Sequence, residues 1–428
     1  MKKILEVVQN KAPHEVLFNN ATSEFVDTMK SYLDESVLKV LLHPNRTHIF
    51  SVPWVDGSGK TQVNTGYRVQ YSLAMGPYKG GIRFDPSVNL DVMKFLAFEQ
   101  TFKNALTGLA MGGAKGGADF DPKGKTDAEI LSFCQSFINQ VYQHLGAHTD
   151  VPAGDIGVGA REVGYMYGQY KMLTQTHAGV FTGKSPVFGG ALGRPEATGY
   201  GLIYITDALL KEHNDSFKDK RVIISGSGNV AIHAAYKAVE KGAKVVAMSD
   251  RTGYVYDDNG LDIASIQAHK DSKEALKTYT KSTYIYDHSI WNVPCDIALP
   301  CATQSEIDDK DMKALLINGV KIVAEGANRP LTPEAVNRIQ ASEAYYLPGK
   351  AANAGGVAVS GLEMSQNAQM TQFTFEEVDL KLLSIMNNIF KNISETAKDL
   401  GHSGNYLLGA NAFAYNKLED AIKRQGVL

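Results

Sequence analysis

Arg221-Val-Ile-Ile-Ser-Gly-Ser-Gly-Asn-Val-Ala231, followed a helix length later by Lys244-Val-Val-Ala-Met-Ser-Asp250, decides how this chain folds. A short β-branched run precedes the glycines, and apolar residues then recur through Ala234, Ala235, Ala238 and Val239 to Gly242. That spacing predicts strand, turn, helix and a second strand. In this context a Gly-x-Gly-x-x-Ala loop has a mechanism. Gly226 and Gly228 let a pyrophosphate approach the backbone, and the helix that begins at Asn229 and Val230 offers N–H groups and the positive end of its dipole. Asp250 then ends the second strand, where an acid reaches a ribose hydroxyl. The competing reading is an α/β domain whose glycines only let helix pack on strand. Two further strand-like runs, Cys295–Pro300 and Lys321–Glu325, end in Cys301-Ala-Thr303 and Gly326-Ala-Asn328. Polar groups at strand C-termini place Thr303 and Asn328 toward a cofactor, although both residue types also suit ordinary turns. The second half is therefore expected to be a Rossmann-type doubly wound nucleotide-binding domain.

Asp250 and Arg251 give opposite signals about which dinucleotide binds. The carboxylate suits the ribose 2′-hydroxyl of NAD, whereas the guanidinium suits the 2′-phosphate of NADP. The expectation is NADP, with NAD or use of both as the alternative.

The first half carries a different signal. Lys79 lies in Gly76-Pro-Tyr-Lys-Gly-Gly-Ile-Arg-Phe84, Lys103 in Glu99-Gln-Thr-Phe-Lys-Asn104, and Lys115 in Gly112-Gly-Ala-Lys-Gly-Gly117. Lysine normally stays in water and fixed glycine costs backbone entropy, so glycine-rich loops around Lys79 and Lys115 suggest backbone and cations crowding a small anionic ligand. Asp155, in Pro152-Ala-Gly-Asp-Ile-Gly-Val-Gly159, adds one carboxylate in a glycine-cushioned turn. Lysines with one acid make a proton-transfer site. Taken singly, each lysine reads as a solvated charge and Asp155 as a cap for the helix expected from Ala160. Only the combination points to chemistry.

At 428 residues the chain is long enough for two domains. The expected division is 1–185 for substrate binding and oligomerisation, joined by a C-terminal helix at about 404–428, and 186–403 for the nucleotide. A net charge of −3 and the absence of a basic tract give no reason to expect nucleic acid or an anionic membrane as partner. Three cysteines, Cys134, Cys295 and Cys301, lack ligand spacing, which argues against a metal site and for a reducing, cytoplasmic setting. Tyr167 and Lys171 form a Tyr-x-x-x-Lys pair, but the nucleotide loop follows that pair, so it reads as a chance helical neighbour.

Taken in order, Gly76–Phe84, Phe102-Lys-Asn-Ala-Leu-Thr-Gly108, Met111–Gly117, Asp119-Phe-Asp-Pro-Lys-Gly124, Val151–Gly159, Arg194-Pro-Glu-Ala-Thr-Gly-Tyr-Gly201 and Gly355-Gly-Val-Ala-Val-Ser-Gly-Leu-Glu-Met-Ser-Gln-Asn367 resemble the glutamate-specific members of the Glu/Leu/Phe/Val dehydrogenase family. The resemblance covers most of the chain. It implies two domains with a cleft that closes over substrate, a homohexamer, and reversible oxidative deamination of L-glutamate to 2-oxoglutarate and ammonia. It also implies roles: Lys103 with Gln100 for the α-carboxylate, Lys79 with Ser360 for the side-chain carboxylate, Lys115 and Asp155 for catalysis, the Gly154 backbone against substrate, and Thr198 and Asn229 against the cofactor. Ser249-Asp-Arg-Thr-Gly253 resembles the corresponding stretch of NADP-preferring bacterial members.

Overall fold

The computed structural model describes residues 1–426, and the chain divides into two units. One unit comprises residues 1–192, 357–378 and 411–428, and the other 193–356 and 379–410. The expected boundaries were at 185/186 and about 403/404. The chain instead changes unit near 192, and residues 357–378, with Ser360 among them, belong with the N-terminal segment.

The first unit is built on a five-stranded sheet: β1 (Arg46–Val55), β2 (Thr61–Ser72), β3 (Tyr78–Phe84), β4 (Gly113–Ala118) and β5 (Asp150–Gly154), in the order β1-β2-β4-β3-β5. β1 and β2 form an antiparallel hairpin, β4 runs antiparallel to β2, and β3 runs parallel to both β4 and β5. The segments around Lys79 and Lys115 are thus strands and not loops. Their glycines let the strand backbone come close to its neighbours. A Cβ on Gly80 would lie 1.6 Å from Ala114 O, and one on Gly113 would lie 1.9 Å from Thr101 Oγ1.

Helices cover the sheet. Helix Leu90–Leu106 starts at Asn89, whose side chain accepts from Val92 N–H, and buries Met93, Phe95, Phe98 and Phe102. Helix Asp127–Val141 starts with a reciprocal Thr126/Glu129 capping box. Its Phe133 stacks on Phe120 at 3.8 Å and meets Phe84 edge-on at 5.0 Å, so aromatic rings fill the space between helix and sheet.

The second unit holds seven strands: β6 (Arg221–Ile224), β7 (Lys244–Ser249), β8 (Gly253–Tyr256), β9 (Thr283–Tyr286), β10 (Ile297–Leu299), β11 (Ile322–Ala324) and β12 (Tyr345–Leu347). Their order is β12-β11-β10-β6-β7-β8-β9. The five strands from β12 to β7 are parallel, as expected from the sequence. β8 pairs antiparallel with β7, and β9 with β8. The link from Ser249 to Gly253 is too short for a crossover helix and can only turn the chain back. β6 is flanked by β7 on one side and β10 on the other, the strand arrangement that opens a ligand crevice at the carboxyl ends.

Candidate active site

Alternation along β3 puts Lys79, Gly81 and Arg83 on one face and Ile82 and Phe84 on the other, where they join the core. Lys79 is 1% exposed, and its Nζ donates to Thr182 Oγ1 at 2.8 Å. Thr182 is itself fixed: its N–H donates to Pro152 O, which adds it to the edge of β5. Asn104 ties helix Leu90–Leu106 to this strand. Its Nδ2 donates to Lys79 O at 3.1 Å and Gly112 O at 2.5 Å, and its Oδ1 accepts from Gln100 Nε2 at 2.6 Å. Half-buried Lys103 and Gln100 therefore ride on a helix locked to the backbone of Lys79 and to the start of β4.

Ser360 is buried on helix Gly355–Gln369. One turn on, buried Glu363 accepts from Lys184 Nζ at 2.6 Å and from Gly183 N–H at 2.9 Å. That clamp holds the loop whose Thr182 engages Lys79, so Ser360 and Lys79 are linked through one rigid chain of contacts. A second buried pair, Arg68 with Asp150, lies beneath β3, with Arg68 Nη1 donating to Gly80 O at 3.1 Å.

Lys115 and Asp155 come together. Lys115 Nζ lies 2.9 Å from Asp155 Oδ1, and Arg83 Nε donates to Asp155 Oδ2 at 2.7 Å. Burial is the largest influence on Lys115 and pushes its ammonium below the ordinary lysine range; Arg83 and Arg68 push the same way, while Asp155 opposes. Burial also disfavours ionised Asp155, but Lys115 and Arg83 outweigh it and hold that carboxyl at about 2. Asp155 does not cap the helix that follows. Gly159 begins helix Ala160–Thr174, with its N–H on Glu162 Oε2 at 2.8 Å. Gly154 precedes Asp155 at the end of β5. Lys171 lies 5.0 Å over the ring of Tyr167, which belongs to the core, so this pair is a packing contact.

In the second unit, Gly226 adopts φ +82°, a conformation that favours glycine, and its N–H donates to Ser249 Oγ at 3.0 Å. Gly228 starts helix Asn229–Glu240, and a Cβ there would meet no atom within 4 Å. An open N-terminus with first-turn N–H groups at Asn229 and Val230 fits a dinucleotide pyrophosphate. Asn229 Nδ2 donates to Pro195 O at 2.5 Å and so ties this loop to the segment carrying Thr198, in the first turn of helix Ala197–Glu212.

Asp250 lies just beyond the end of β7 among donors of the protein. Its Oδ1 accepts from Thr252 N–H, Thr252 Oγ1 and Tyr284 OH, each at 3.0 Å, and its Oδ2 accepts from Leu276 N–H at 3.2 Å. Protein donors therefore engage both oxygens. Its neighbour Arg251 is exposed. Thr303 is exposed beyond β10, with its N–H on Glu306 Oε1, and Asn328 is exposed beyond β11, with Oδ1 accepting from Asn353 Nδ2.

The profile of the Glu/Leu/Phe/Val dehydrogenase family matches residues 189–426, and that of its dimerisation domain matches residues 44–172. This chain belongs to the Glu/Leu/Phe/Val dehydrogenase family. Similar proteins include the NADP-specific glutamate dehydrogenase of Helicobacter pylori, 48% identical over 100% of both chains. That of Haemophilus influenzae is 52% identical over 94% of this chain and 92% of its own. Among solved structures, the glutamate dehydrogenase of Plasmodium falciparum is 45% identical and superposes with a TM-score of 0.98 over 100% of this chain and 95% of its own.

Within this family member, three groups at the site were not named from the sequence. Arg83 had a signal, because period two along β3 places it on the same face as Lys79. Thr182 and Asn104 had none, since their partners are distant in sequence.

Proposed function

We propose that this member of the family is an NADP-dependent glutamate dehydrogenase, catalysing reversible oxidative deamination of L-glutamate to 2-oxoglutarate and ammonia. The observation that carries the reading is the buried ammonium of Lys79 in the same unit as the Lys115–Asp155 pair. A pocket for an apolar side chain would not bury an ammonium at its far end, so a dicarboxylic substrate is favoured over leucine, valine or phenylalanine.

Lys79, with Ser360, receives the side-chain carboxylate, and Lys103, with Gln100, the α-carboxylate. The Gly154 backbone lies along the substrate. Gly226, Gly228, Asn229 and Val230 hold the pyrophosphate; Thr198, Thr303 and Asn328 line the rest of the cofactor site, and Arg251 meets the 2′-phosphate. When bound there, NADP would supply the acceptor for the hydride leaving Cα of glutamate. Asp155 takes a proton from the substrate ammonium beforehand. Neutral Lys115 then takes a proton from the water that attacks the imine carbon, and Asp155 returns a proton to the departing nitrogen. As the C–N bond breaks, the carbinolamine hydroxyl gives its proton to the departing nitrogen, which leaves as ammonium, and the proton taken by Lys115 passes to solvent.

Self-association into a homohexamer is supported by the match to a dimerisation domain. Three free cysteines favour a cytoplasmic setting. No helix among the described residues is long and apolar enough to cross a membrane. A turnover assay with L-glutamate, L-leucine and L-phenylalanine, each with NADP and NAD, tests the activity. Glutamate with NADP should be the best pair, and no turnover of glutamate would refute the reading.

A further inference from the structure

Asp155 is a single carboxylate between two cations. Lys115 holds Oδ1 at 2.9 Å and Arg83 holds Oδ2 at 2.7 Å, and the two cationic side chains are only 7% and 16% exposed. The remaining cation facing Lys115 is Arg68, whose charge is matched by its own buried partner, Asp150. Lys79 and Lys103 are matched, under the function proposed above, by the two carboxylates of the substrate. Lys115 and Arg83 together carry one positive charge more than the Asp155 they share, in a site withdrawn from water. A proton has to leave to restore neutrality. A guanidinium does not give up its proton in proteins, whereas an ammonium does when buried.

We propose that Arg83 is a positioning residue of the reaction: by holding Asp155 on Oδ2 it supplies the one cation this carboxylate requires, and so leaves Lys115 to act in its neutral form. This inference rests on the reading of Lys115 as the catalytic base. It assigns the two amino-acid types different tasks on one carboxylate. Arg83 carries a permanent charge and fixes the orientation, and Lys115 carries the proton that moves. Without Arg83, Lys115 would be the only cation left to balance Asp155, and the pair would keep its proton as an ordinary ion pair. The same bond leaves Oδ1, the oxygen shared with Lys115, as the one through which protons pass between substrate nitrogen and base.

The geometry explains why the residue on β3 is arginine. Nε donates to Asp155 from a strand position opposite Gly117 of β4, the next-but-one residue after Lys115, so both cations reach the carboxylate from adjacent parallel strands. Arg83 and burial act on Lys115 in one direction, and Asp155 acts in the other.

The test is the pH dependence of kcat/KM for L-glutamate, measured with the full-length protein and saturating NADP across about pH 6–10 in the parent, Arg83→Gln, Arg83→Lys and Lys115→Ala. In Arg83→Gln the rising limb should move to higher pH by roughly one unit, giving about a tenfold loss below both midpoints and a much smaller loss on the plateau. Arg83→Lys, which keeps a cation, should hold the limb near its parental position. KM for glutamate and the thermal midpoint should change little in Arg83→Lys. A loss uniform with pH, or equal shifts in the two variants, would overturn the role of charge at position 83. If Lys115→Ala retains near-parental kcat, the reading of the base fails as well; if it is inactive while Arg83→Gln leaves the limb unmoved, only the present inference fails.

Discussion

Lys115 and Asp155 divide between them what a simple acid would do alone. The lysine is pushed below its usual range mainly by burial, and the aspartate is held at about 2 by Lys115 and Arg83 despite burial. Lys115→Ala should therefore lower kcat by about 10²-fold or more while leaving glutamate binding nearly intact, because Lys79 and Lys103 are the anchors proposed for the carboxylates. Steady-state kinetics alongside equilibrium glutamate binding separates the two effects. Asp155→Asn should lose a comparable share of activity although the amide keeps the shape, since it accepts no proton and leaves two cations facing a neutral group. Activity surviving that change would mean that orientation alone matters at this position. Lys79, Lys103, Lys115 and Asp155 were all legible in the sequence because each stands in a distinctive local setting. Thr182 and Asn104 were not, because each acts through a partner that only the folded chain brings near.

At the scale of elements, sequence periodicity identified β6, helix Asn229–Glu240 and β7, but the glycine-rich β3 and β4 were expected to be loops. Glycine is unfavourable in strands, and that propensity was overridden by the need for β3 to approach the backbone of β4, and β4 the helix Leu90–Leu106, closely. Gly80→Ala tests this. Its Cβ would lie 1.6 Å from Ala114 O, so the pairing of β3 with β4 should be lost at a cost of more than about 3 kcal/mol, read as a fall in the denaturant midpoint. The end of β11 offers a second element-scale prediction. Glu325 is 4% exposed, and burial raises its carboxyl to about 7 although Gly349 N–H, Tyr346, Leu331 N–H and Arg329 all oppose the rise. Its folded value exceeds its unfolded value, so the stability it contributes is complete below about pH 4.5 and is lost as pH rises through about 7, an effect on the order of 2–3 kcal/mol. Thermal midpoints should thus fall between about pH 4.5 and 7 and level off above that. The fall should be smaller in Glu325→Gln, whose amide stays neutral; identical slopes in both proteins would show that Glu325 is not the titrating group.

Across the whole molecule, the residues proposed for substrate and those proposed for cofactor fall in different units of the chain. Lys79, Gln100, Lys103, Lys115, Asp155 and Ser360 lie in one, and Thr198, the loop from Gly226 to Val230, Arg251, Thr303 and Asn328 lie in the other. Two specificities carried by separate units should respond to mutation independently. Lys79→Leu with Ser360→Val replaces the partners proposed for the side-chain carboxylate by apolar surface. It should cut kcat/KM for glutamate by about 10²-fold or more and raise relative activity on norleucine, with the ratio of NADP to NAD use unchanged. Arg251→Ala should do the reverse. Asp250 is tied to Thr252, Tyr284 and Leu276, so its charge is spread over donors of the protein and its repulsion of a 2′-phosphate is weakened, which leaves the guanidinium of Arg251 to decide. The arginine variant should lose about 1–2 kcal/mol of NADP preference, roughly 5- to 30-fold in the ratio of kcat/KM values, and keep its KM for glutamate. A combined variant should show the product of the two effects. If removing Arg251 leaves the cofactor ratio where it was, the 2′-phosphate is met by another group; if it also shifts the choice between glutamate and norleucine, the two specificities are coupled and are not the property of separate units.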